Sequence, residues 1–91
     1  MDKVLAKAQE LRKAIEETSE YQEYVKNKEA LNNNQEVVEL KHNIANLKAK
    51  GKFEEASHLE ELYNNHPLVN NFLISQEAFY ALLKTIENII K

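Results

Sequence analysis

The chain has 91 residues, a formal net charge of −3, single Gly and Pro residues, and neither Cys nor Trp. That length holds one domain, residues 1–91, with a modest core. Abundant Glu, Lys, Leu, Ala and Asn exclude a turn-rich sheet and predict an all-α fold. Without cysteine there is no disulfide framework and no thiolate chemistry. Lysines and glutamates interleave on every polar face, so no basic stripe is present to neutralise phosphates and direct binding of nucleic acid is not expected.

From Asp2 to Glu17, Val4, Ala8, Leu11 and Ile15 recur at helical spacing, with Leu5 on the rim and Lys7, Glu10, Lys13 and Glu17 opposite. This predicts a first amphipathic helix. The same stretch alternates charged and apolar residues without a continuous apolar run, so no secretory signal is read there. Ser19 followed by Gln22 has the form of a capping box, and Tyr21, Tyr24, Val25 and Leu31 then make the stripe of a second helix that ends in the Asn32-Asn33-Asn34 run.

Asn33 with Glu36 is placed to cap a third helix, whose stripe of Val37, Leu40, Ile44 and Leu47 has the spacing of a narrow coiled-coil face. Gly51 interrupts it. The apolar phase shifts there, Lys48 and Lys50 precede the glycine, and Glu54 and Glu55 follow it, which suits the end of one helix dipole and the start of another. A fourth helix carrying Phe53, Ala56, Leu59, Leu62 and Tyr63 is therefore expected to fold back as a hairpin, with Lys41 and Lys48 facing its glutamates; a single kinked helix is the alternative.

Pro67 suits the first turn of a last helix, capped by Asn65 or His66 and running from about Leu68 to Ile90. Projected at about 100° per residue, Leu68, Phe72, Phe79, Leu83, Ile86 and Ile90 share a line, Val69, Leu73 and Tyr80 flank it on one side, and Leu82 and Ile89 flank it on the other. The apolar arc is roughly 200° wide, where about 100° suffices for a helix lying on a core. Such a helix would be about 35 Å long. A compact chain of this size has a radius of gyration near 12 Å, so the helix is expected to span the molecule and to meet something outside it. The longest apolar run, Ala78 to Leu83, is far too short for a bilayer, so no membrane insertion and a cytoplasmic location are expected.

A second copy of the chain is the expected occupant of that face, because a long helix with a repeated apolar stripe pairs readily with itself about a two-fold axis. Val69, Phe72, Leu73, Phe79, Tyr80 and Leu83 are the candidate dimer contacts. Enzyme motifs are absent: no Gly-rich phosphate loop, no nucleophile elbow and no His-Glu-x-x-His. No catalytic, cofactor-binding or metal residues are assigned. His42 and His58 flank Gly51 at comparable distances and form the basis of the alternative reading, a small-ligand or metal-binding bundle. Neither has a His partner at helical i, i+4 spacing, and surface histidines explain them better. Glu16-Glu17, Glu54-Glu55 and Glu60-Glu61 diverge by about 100° on a helix and read as solvated faces. Tyr21, Tyr24, Tyr63 and Tyr80 lie at core spacing without a basic groove around them, which favours core tyrosines over base-stacking platforms.

These residues also carry a resemblance. The chain resembles the small YlbF/YmcA regulators of Gram-positive bacteria, through an N-terminal helix like Ala6 to Ile15, an Asn-rich break near Asn33, a polar hairpin, and His66-Pro67-Leu68-Val69 leading to Phe72 and the tail Leu82 to Ile90. The resemblance implies a helical, dimer-forming protein without enzymatic activity that acts through protein contacts. Members of that family are linked to competence, sporulation and biofilm control, and some act with a partner complex on the ribonuclease that processes messenger RNA. The hairpin is shorter here than in the best-known members, and the cysteine-bearing tail that follows it in them is not found before the sequence ends at Lys91. Iron-sulfur ligation through thiolates is therefore not expected. The reading that results is an elongated bundle of about five helices with a central hairpin, acting as a homodimeric adaptor or regulator. The hairpin between Val37 and Tyr63 is the candidate partner surface.

Overall fold

A computed structural model describes residues 2–90 and contains five α-helices: α1 (Asp2–Glu16), α2 (Ser19–Asn33), α3 (Gln35–Ala49), α4 (Phe53–Asn64) and α5 (Pro67–Ile90). No strand occurs among the described residues. The all-α reading holds, and each boundary has a local chemical cause.

Thr18, and not Ser19, caps α2. Its backbone is extended (φ −73°, ψ 151°), and its hydroxyl oxygen accepts from the Tyr21 N–H at 3.2 Å while donating to the Ile15 carbonyl at 2.6 Å. One hydroxyl thus satisfies an orphan carbonyl of α1 and an orphan N–H of α2. Ser19 becomes the first helical residue, with its hydroxyl turned to Glu20 at 3.1 Å. The next junction is likewise shifted by one residue. Asn33 closes α2, and Asn34 alone separates the helices: its side-chain oxygen accepts from the Val37 N–H at 3.0 Å, and its own N–H donates to the Leu31 carbonyl at 3.3 Å. In a run of three asparagines the backbone decides which one caps, and that choice brings Leu31 and Val37 into one cluster.

Gly51 ends α3 with φ 75°, in the left-handed region that favours glycine. The Lys52 N–H reaches back to the Leu47 carbonyl at 2.8 Å and the Gly51 N–H to that of Lys48 at 3.0 Å, the paired bonds of a Schellman motif. The chain therefore reverses, α4 packs on α3, and the hairpin reading is the correct one. Lys48 meets Glu60 across it at 3.3 Å. At the last junction Pro67 occupies the first turn of α5, and the His66 imidazole supplies the cap, its Nδ1 accepting from the Leu68 N–H at 3.1 Å. With Nδ1 an acceptor, a neutral ring carries its proton on Nε2, the atom that faces Glu36 at 3.9 Å.

Leu31, Val37 and Val69 form the buried cluster, with Tyr63, Leu68 and Phe72 packed against it. Four helices meet there. From that point α2 and α5 run antiparallel along an aromatic row: Tyr24 stacks on Phe79 at 5.1 Å and lies 5.6 Å from Phe72, and Tyr21 meets Phe79 edge-on at 5.5 Å. The packed helix pairs are α2–α5, α3–α4, α2–α3, α1–α2 and α4–α5.

The molecule measures 53 × 24 × 21 Å, with a radius of gyration of 17.9 Å. This corrects the expectation that α5 spans it. The helix, about 36 Å at 1.5 Å per residue, covers only part of the long axis. The α3–α4 hairpin packs mainly on itself, and α1 packs on α2 without burying any residue, so the fold extends beyond a compact body.

Candidate interaction surface

Its placement on the fold divides the six α5 residues expected to form a dimer contact. Val69 and Phe79 are only 2% and 9% exposed, because Leu31 and Val37 cover the first and the tyrosines of α2 cover the second. Phe72 is half-buried against the same cluster. Leu73 and Tyr80 keep 47% and 53% of their surface in solvent, and Leu83 is half-buried. The wide apolar arc is thus shared: its centre faces α2, and one flank, Leu73 with Tyr80, faces outward. Ile74 on the opposite flank and Ile89 and Ile90 at the end of the helix are exposed as well.

Periodicity alone did not single out α1 as a surface. Its spacing predicts an amphipathic helix, and the structure leaves the apolar face open: Val4 and Leu5 are 71% and 56% exposed and no residue of the helix is buried. Its lower half borders an open cleft of about 420 Å³ lined by Ala8, Leu11, Ile15 and Tyr21. A sequence signal for this was present in the shortness of the Glu17-Thr18 connection. A two-residue joint, with Thr18 bonded to both helices, limits how α1 can lie along the rest of the chain.

On the hairpin, Val38, Phe53 and Leu62 are exposed at 45%, 65% and 54%, and Phe53 stands at the turn beside Gly51. His42 and His58 both lie on its surface. Among the described residues no group of three or more His, Cys, Asp or Glu side chains converges as a metal site. A cleft of about 640 Å³ between α2 and α5 is open and bordered by Glu20, Glu23, Lys26 and Asn27 as well as Ile74 and Ala78. No helix of the described residues is long and apolar enough to cross a membrane.

Comparison with protein families adds one finding. Residues 4–91 match the family described as control of competence regulator ComK, YlbF/YmcA. The chain belongs to the YlbF/YmcA family. Comparisons with curated proteins and with solved structures gave no match. The family match takes in all five helices, with α1 included from Val4 onward. The uncovered stripe of α1 therefore belongs to the YlbF/YmcA domain itself and is not an appendage to it. A regulatory role follows from the family.

Proposed function

We propose that this YlbF/YmcA protein is a homodimeric, non-enzymatic regulator of the cytoplasm that works through protein contacts, in the control of competence, sporulation, biofilm formation or messenger RNA processing. The observation that carries this reading is the apolar surface left open on α1 and α5 of a chain that belongs to a regulatory family. Isolated apolar residues on a surface are ordinary, but successive ones along a helix face mark a contact. Burying each large side chain is worth about 1.5–3 kcal/mol gross, so a few per subunit offset the cost of association. The hairpin, with Phe53 at its turn and Leu62 and Val38 exposed, is left for a protein partner.

Light scattering at tens of micromolar tests the dimer. A mass of two chains is expected, and a strictly monomeric protein would overturn the reading. The structure also selects the variants: Phe72→Asp would disrupt the chain's own core, whereas Leu73→Asp with Tyr80→Asp lies on the exposed flank and should shift the mass toward monomer with helix content retained.

A further inference from the structure

Two partly open rows, one apolar on α1 and one on α5 in which Gln76 and Glu87 interrupt the apolar residues, follow a heptad-like repeat. On α1, Val4, Ala8, Leu11 and Ile15 are spaced 4-3-4, and on α5, Leu73, Gln76, Tyr80, Leu83, Glu87 and Ile90 are spaced 3-4-3-4-3. This is the heptad spacing by which two helices interlock over several turns. Within one chain α1 and α5 are not among the closely packed helix pairs. Both are nonetheless open, with Val4, Leu11, Leu73, Tyr80 and Ile90 exposed at 71%, 38%, 47%, 53% and 68%.

Resting on the homodimer reading above, we infer that α1 is an arm that lies along the second half of α5 of the other copy, so that a two-fold axis buries each α1 on its partner's α5. Length, area and charge support this occupant. Helix α1 is about 22 Å long, and α5 from Tyr80 to Ile90 is about 16 Å. The exposed parts of Val4, Leu5, Leu11, Tyr80 and Ile90, with the half-buried Ile15 and Leu83, amount to on the order of 600 Å² per copy, near the lower end of the roughly 600–1,000 Å² per partner of a stable interface. Lys7 and Arg12 flank the α1 row, whereas the α5 row carries Glu87 within it and has Glu77 and Lys84 beside it, two acidic groups to one basic. Tyr21 joins the surfaces, since it borders the α1 cleft and also touches Phe79 of α5.

The absence of native cysteine makes disulfide trapping direct. Leu11→Cys and Leu83→Cys are made as separate chains, near the middle of each row, so every disulfide that forms joins two copies. On mixing and mild oxidation, the mixed Leu11–Leu83 product should dominate both homodisulfides whichever way the arm runs. Dominant homodisulfides, or no disulfide from a proven dimer, would overturn the arm. A second measurement uses Val4→Asp with Leu11→Asp, for which the apparent dissociation constant of the dimer should rise by at least about a hundredfold at unchanged helix content. A variant that dimerises like the parent removes the arm and leaves the homodimer standing. A parent that is itself monomeric removes both.

Discussion

The middle of the molecule and its N-terminal helix are built from similar amphipathic patterns and end in opposite states. Along α2 and α5, aromatic rings from both helices interleave, and Phe79 touches Tyr21, Tyr24 and Tyr80 within 6.3 Å. Along α1, the stripe is as regular but no residue is buried, and its ion pairs, Lys7–Glu10 at 3.6 Å and Arg12–Glu16 at 4.0 Å, are exposed ones of little energetic weight. The difference is one of partners. Amphipathicity states that a face needs cover, and only the arrangement of the remaining chain decides whether that cover comes from within.

Substitutions that separate the two regions should rank accordingly. Phe79→Ala removes the ring shared by α2 and α5 and is expected to cost about 3–5 kcal/mol in urea unfolding. A loss under ~1 kcal/mol would mean that the aromatic row is not the principal contact between those helices. His66→Ala is next, at about 1 kcal/mol, because it deletes the cap of α5. His66→Asn should restore most of that loss, since a side-chain oxygen can accept the same N–H; equal losses in both variants would assign the effect to packing. The smallest effect is expected on α1. Val4→Ala, measured where the protein is diluted to monomer, should stay within about 0.5 kcal/mol. A larger loss there would mean that α1 is held by its own chain after all, and the contrast between the regions would disappear.

How far the sequence reads into this structure depends on which forces act locally. The hairpin was legible because a single glycine, a phase shift and flanking charges all sit within a few residues of Gly51. Pro67 and His66 announced the start of α5 in the same way. The caps at Thr18 and Asn34 were each missed by one residue, since neighbouring Thr and Ser, or three consecutive asparagines, present nearly the same hydrogen-bonding groups and differ only in the backbone angles they adopt. For the candidate surface the outcome was mixed. The wide arc of α5 announced surplus apolar area, but Val69 and Phe79 were drawn inside, and the spacing of the α1 row carried no sign that it would stay open.

By itself, then, the sequence determined five helices, their approximate ends and the presence of more apolar face than a small chain can cover. Those features follow from hydrogen bonds and side-chain spacing within a few turns, which act wherever the segment sits. Tertiary structure alone decided how far the molecule extends beyond α5, the burial of Val69 and Phe79 against α2, and the exposure of α1. Burial is a property of pairs of faces, and the short Thr18 joint and the α3–α4 reversal determine which faces can meet within one chain.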